Sequence, residues 1–120
     1  VKEATWRPIE TLKTTPNEDD ARQILVWHVY QGVMVSDTKR ARRNPFHAYW
    51  MEIPNWWIDT GNRLPEEKDS NAQKCVLARD SWGDCYLRRW DYLDGSQRAA
   101  AWQRTPDAPP DAKELRKRRG

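Results

Sequence analysis

The chain is poor in the residues on which most specialised chemistry depends. It has two cysteines and two histidines in 120 residues. Cys75 and Cys85 show neither the Cys-x-x-Cys spacing nor the clustered histidines that zinc requires, so no metal ligands are assigned. Its five glycines form no glycine-rich phosphate loop. No apolar stretch approaches the ~20 residues that cross a bilayer as a helix, and no charged-then-apolar leader opens the chain. A cytoplasmic protein without a membrane role is expected. Hydrophobic residues make up 38% of the chain and charged residues 32%, a balance that alone borders on disorder.

Eight tryptophans tip that balance toward a folded core. Each can withdraw about 150–250 Å² from water, roughly 4–6 kcal/mol as an upper estimate. Few aliphatic side chains are needed when a core is built from indoles. The net charge of +3 is too small to imply nucleic acid by itself. Acidic residues precede the apolar runs (Glu18-Asp19-Asp20, then Glu66-Glu67-Lys68-Asp69) and basic residues follow them (Lys39-Arg40-Ala41-Arg42-Arg43, then Arg88-Arg89), so the two signs are expected at different ends of the domain.

The tryptophans are spaced as a repeat. Trp6 and Trp57 each stand 18 positions before a short apolar run, Ile24-Leu25-Val26 and Cys75-Val76-Leu77. Gly32 and Gly83 keep the same offset of 51, and the closing Trp50 and Trp102, each four residues before a proline, are offset by 52. A repeat this short usually leans on its neighbour to cover its apolar face. The predicted fold is mainly β with a minor α component: two pseudo-symmetric, antiparallel three-stranded units sharing one tryptophan-rich core. Residues 1–110 would form a single domain of two repeats, 6–54 and 57–110. Residues 111–120 would be a charged tail, flexible or helical only on contact.

Residues 6–11 read as an extended opening, because Pro8 disfavours helix in its predecessor. Residues 14–20 read as a turn-rich loop and 18–23 as a plausible helical turn. Strands are predicted at 23–30 and 33–35 around a Gln31-Gly32 turn, and at 46–53 after a basic loop. In the second unit, 74–78 should pair with 85–89 across Trp82-Gly83. That hairpin could bring Cys75 and Cys85 face to face, although free thiols are the preferred reading. Residues 92–95 read as a turn and 96–101 as a short helix.

At Trp6-Arg7-Pro8-Ile9-Glu10-Thr11, Gln23-Ile24-Leu25-Val26-Trp27 and Trp50-Met51-Glu52-Ile53-Pro54, the chain resembles a family of short uncharacterised phage and prophage proteins. That family opens with Trp-x-Pro-Ile-Glu-Thr and closes near Trp-Met-Pro-Leu-Pro. The stretch from Trp57 through Arg63-Leu64-Pro65-Glu66 to Trp102 and Pro106 is similar to a variant second copy. The chain departs from the pattern by a longer acidic loop before each strand, and by carrying two units. The resemblance implies a mobile-element setting, hence the cytoplasm of a host cell, and little chemistry.

Catalysis has few candidates. His28 alternates with Trp27 and Val29 on a predicted strand and reads as a histidine making one hydrogen bond. Cys85 would need His47 beside it to act as a nucleophile. The 66–69 carboxylates read as a solvated loop rather than a cation site. No catalytic residue and no cofactor is assigned. Interface hot spots favour Trp, Tyr and Arg, and the unmatched Trp82 and Trp90 with Lys39, Arg40, Arg42, Arg43, Arg88 and Arg89 are the chosen partner-binding residues. Trp56 also lacks a counterpart. The expectation is a non-enzymatic protein that docks on a host protein or protein–nucleic-acid complex, in its sharpest form an anti-defence inhibitor resembling anti-CRISPR proteins in its role. The alternatives are a small nucleic-acid-binding protein, in which guanidinium groups hold phosphates while rings stack on bases, and a supernumerary subunit of a large assembly.

Overall fold

A computed structural model describes residues 6–13, 21–93 and 99–119. The chain divides into two compact units, Val1–Ile53 with Ala108–Gly120, and Pro54–Asp107. The described residues form eight strands in two four-stranded antiparallel sheets and one short helix. The fold is mainly β, as expected.

In the first unit the strands are β1 (Arg7–Pro8), β2 (Gln23–His28), β3 (Gly32–Asp37) and β4 (His47–Glu52), ordered β1-β4-β2-β3. The β-branched and aromatic residues of β2 suit a central strand, and Ile24, Leu25 and Val26 are fully buried. Gly32 closes the β2–β3 turn at φ +84°, a conformation glycine adopts without steric cost. Val26 lies opposite Met34 on one side and Trp50 on the other. Ile24, Val26 and Trp50 join Leu12 and Ala41 in one core cluster, with Ile9 and Met34 against it.

Antiparallel pairing dictates the connection from β3 to β4. Gln23 pairs with Asp37, whereas His47 pairs with His28, so residues 38–46 must travel the length of β2. On the way a 3₁₀ turn, Ala41–Arg43, places Ala41 in the core.

The second unit has the same plan. Its strands are β5 (Ile58–Asp59), β6 (Cys75–Asp80), β7 (Cys85–Arg89) and β8 (Ala99–Gln103), ordered β5-β8-β6-β7. Val76, Ala78 and Trp102 form its core cluster with Leu93 and Ala99. The pairs Val26–Trp50 and Leu25–Val35 recur 52 positions on as Ala78–Trp102 and Leu77–Leu87. The register shift at Trp27/His28 recurs at Arg79/Asp80. An offset of 52 thus governs the paired strands, where the glycines and apolar runs suggest 51. The offset of 51 holds only for the opening strands, Arg7 opposite Trp50 and Ile58 opposite Trp102. Each sheet has four strands rather than three because these two-residue openings pair with the closing strand.

Two local expectations change. Residues 99–101 belong to β8 rather than to a helix, since pairing of Trp102 with Ala78 outweighs the helix propensity of three alanines. Residues 94–98 and the 14–20 loop lie outside the described residues. Acidic and basic groups do not separate to opposite ends of the second unit. The segments that enter β6 and leave β7 must meet at one end of an antiparallel hairpin, and Trp90 N–H donates to Lys74 O there at 3.0 Å.

The charged tail is an α-helix, α1 (Ala112–Arg119), and it belongs to the first unit. Tyr49 Oη donates to Asp111 Oδ2 at 2.6 Å, and Leu115 N–H donates to Asp111 O at 3.0 Å. One strand residue thereby secures the start of the helix.

Candidate functional site

The closing tryptophans are structural. Trp50 and Trp102 are 5% and 0% exposed. Trp50 Nε1–H donates to Thr11 Oγ1 at 2.9 Å, and Trp102 Nε1–H donates to Arg63 O at 2.7 Å. A guanidinium covers each ring, Arg7 at 5.2 Å and Arg63 at 4.9 Å from the centroid. Trp6 and Trp57, expected in the core with the closing pair because all four recur at matched repeat positions, are only half-buried. Trp6 packs edge-on against Trp27 at 6.1 Å, and Arg79 lies 4.9 Å from the Trp57 centroid.

Trp82 is the opposite case, 73% exposed at the tip of the β6–β7 hairpin. The turn beneath it is tightly tied. Asp80 Oδ1 accepts N–H from Trp82 at 2.9 Å and from Asp84 at 3.0 Å, and Asp80 N–H donates to Asp84 O at 3.0 Å. Gly83 at φ +90° lets the chain reverse. The indole therefore projects from a fixed backbone.

The other chosen residues of the second unit sit at the far end of β7, separated from Trp82 by about 17 Å of extended strand. Arg88 is half-buried opposite Val76. Arg89 Nε pairs with Asp91 at 2.9 Å, and its guanidinium stands 5.6 Å from the Tyr92 centroid. Trp90 is half-buried against the core cluster, so its ring is only partly available. Trp82 and the Arg88–Trp90 group are thus separate patches. Trp56, Leu64 and Tyr92 of the same unit are also exposed, by 49%, 42% and 56%. Trp56 was legible as an indole without a counterpart, whereas nothing in the pattern marked Leu64 or Tyr92.

Lys39, Arg40, Arg42 and Arg43 lie on the crossover of the first unit. Burial of Ala41 turns Arg42 and Arg43 outward, and Arg42 Nη1 reaches Leu12 O at 3.4 Å. Lys39 and Arg40 N–H groups donate to Asp37 Oδ1 at 2.9 and 2.7 Å, which fixes the start of the segment. His47 Nδ1–H donates to Ala41 O at 2.7 Å, since a carbonyl can only accept. A buried histidine thus holds the basic turn in place.

His28 makes two hydrogen bonds rather than one. Its Nδ1 accepts N–H from Tyr30 at 3.2 Å and from Gln31 at 3.1 Å, which leaves the proton of the neutral ring on Nε2. Burial, and secondarily His47 with its ring 5.8 Å away, holds the His28 pKa below its ordinary value. Both histidines have structural roles that account for them.

The 66–69 carboxylates are engaged by the chain's own cations. Lys74 Nζ reaches Glu67 at 2.8 Å, Lys68 reaches Glu66 at 3.1 Å, and buried Asp69 lies 3.5 Å from Arg63 and 3.7 Å from Arg104. The Lys74 bond keeps Glu67 below the usual carboxylate range. No group of three or more His, Cys, Asp or Glu arranged for a metal occurs among the described residues. Cys75 and Cys85 are free thiols because the register sets Arg89 opposite Cys75 and Arg79 opposite Cys85. Burial pushes both thiol pKa values up, only partly opposed by Arg89 and Arg79, so neither is primed as a thiolate nucleophile.

Comparison with family models, with curated proteins and with solved structures finds no match to this chain. No helix among the described residues is long and apolar enough to cross a membrane.

Proposed function

We propose that this is a non-enzymatic binding protein of phage or prophage origin that acts in the host cytoplasm. It docks on a host protein or protein–nucleic-acid complex, and in the sharpest form of the reading it inhibits a host defence system. The observation that carries the docking reading is Trp82, a large ring left 73% exposed on a turn whose backbone is fully tied. A ring carried on a tied turn needs little backbone ordering on binding, which lowers the cost of using it as an anchor. Exposed Arg40, Arg42 and Arg43 add positive charge suited to an acidic partner surface. The phage setting is supported by the resemblance of the Trp6–Thr11, 23–27 and 50–54 motifs.

The test is affinity capture from lysate of the cells that carry the gene. Reversing Arg40, Arg42 and Arg43 to Glu should abolish capture of the partner while shifting the melting temperature by only about 2–4 °C. Capture unaltered by the triple reversal would remove the basic segment from the interface.

A further inference from the structure

We infer that α1 and the exposed ring pair Tyr30–Phe46 form a binding site for single-stranded nucleic acid on the first unit, the helix supplying phosphate contacts and the rings supplying stacking surfaces. Tyr30 and Phe46 are each 39% exposed, and their centroids lie 5.5 Å apart at an interplanar angle of 61°. His28, itself buried, backs both rings at 6.3 and 5.5 Å. The pair is held by main-chain bonds: Tyr30 N–H to His28 Nδ1, Val29 N–H to Phe46 O at 2.9 Å, and Phe46 N–H to Asn44 Oδ1 at 2.9 Å. Neither ring is needed to make those bonds.

The helix is brought to these rings by two contacts. Tyr49–Asp111 secures its first turn, and Arg116 Nη2 donates to Tyr30 O at 3.5 Å. Its eight residues include five basic side chains and one acid, Glu114. Lys113, Arg116, Lys117 and Arg118 are exposed. Exposed Arg42 and Arg43 precede Phe46 by four and three residues, on the turn that His47 fixes. Arg116 thus brings the basic helix to the ring pair in space, while Arg42 and Arg43 stand close to Phe46 in sequence.

Charge and apolar content select the ligand. The only residues of α1 without charge are Ala112 and Leu115, so the helix has no apolar face to sink into a lipid boundary. Exposed aromatic faces flanked by arginine and lysine are the combination that holds unpaired bases and their phosphates. A duplex offers phosphates but few free base faces, which favours the single strand. This site does not rest on Trp82, although Arg42 and Arg43 belong to the basic segment of the docking reading above. Oligonucleotide binding in the absence of any captured protein, or the reverse, would tell the two apart.

The experiment is fluorescence anisotropy with the full chain and a labelled oligothymidylate or oligouridylate of about 12 nucleotides, titrated at several salt concentrations. Affinity should fall steeply between about 50 and 200 mM salt. Tyr30→Ala and Phe46→Ala should each weaken binding roughly five- to 150-fold with the salt slope retained. R116Q with K117Q should lower the slope by about 0.7 for each phosphate no longer neutralised. Should either ring variant lose its fold, the R116Q/K117Q arm decides alone, because those side chains are exposed. No binding at 50 mM salt, affinity indifferent to both sets of variants, or binding to anionic phosphatidylserine vesicles in preference to the oligonucleotides would each overturn the proposal.

Discussion

At the scale of residues, each unit is closed by one tryptophan whose three demands are met together. Trp50 and Trp102 bury their rings, donate their indole N–H to the segment after the opening strand, and lie beneath a guanidinium. Removing either ring deletes the largest side chain of its core cluster. Trp50→Ala and Trp102→Ala should each cost about 3–5 kcal/mol, whereas Trp82→Ala should stay within about 0.5 kcal/mol of the parent in urea unfolding. Comparable losses for all three would contradict the assignment. The closing pair was legible because both stand four residues before a proline at a repeated offset. The partial exposure of Trp6 and Trp57 was not, because they flank strands only two residues long and spacing does not say how far such a short strand is covered.

His28 carries a pH prediction at the same scale. Its folded pKa lies below the ordinary value of 6.5, so on acidification the unfolded chain takes up the proton first. Its contribution to stability is complete above about pH 6.5 and declines as the pH falls below that. Protonation would also convert the Nδ1 acceptor of two backbone N–H groups into a donor. Melting curves from pH 7.5 to 5 should show this decline, and His28→Asn, which keeps an acceptor oxygen and does not titrate, should flatten it. A parent protein with flat stability over that range would refute the role.

At the scale of elements, the strands were legible from β-branched and aromatic runs, and the hairpins from Gly32 and Gly83. The offset was not. One residue more separates the opening strand from the hairpin in the second unit, so glycines matched at 51 conceal pairings that run at 52. Three consecutive alanines suggested helix at 99–101 because local propensity is blind to a partner strand twenty residues upstream. Helix α1 was hidden for a related reason, since its anchor Asp111 lies 62 positions from Tyr49. That bond raises the Tyr49 pKa to about 12, with burial adding to the effect. A raised folded value means the neutral phenol is the stabilising form. The contribution is whole below pH 10 and is lost as the pH climbs toward 12. Tyr49→Phe should accelerate hydrogen exchange across residues 112–119 at neutral pH, and unchanged protection there would show that α1 is held by other means.

At the scale of the whole molecule, the same strand order and the same pattern of pairing occur twice, around two clusters that each centre on a closing tryptophan. We take this as the product of duplication, the plan being kept where cores and turns require it and released at the surface. The release explains why the arginines of 40–43 have no counterpart after β7, whereas an exposed aromatic is kept at both hairpin tips, Tyr30 standing 52 positions before Trp82. Composition pointed to these residue types, but it could not show that Trp82 and Trp90 would stand at opposite ends of one strand. That arises from a hairpin register, which no single position encodes.

We propose that buried indoles build the fold while Trp82 and the basic crossover engage a partner. The most direct test is quantitative capture from nuclease-treated lysate of the native host by parent, Trp82→Ala and Arg40→Glu/Arg42→Glu/Arg43→Glu proteins, all shown to be folded. A protein partner should be retained by the parent after nuclease and lost by both variants. Equal recovery of the same partner by all three proteins would contradict it.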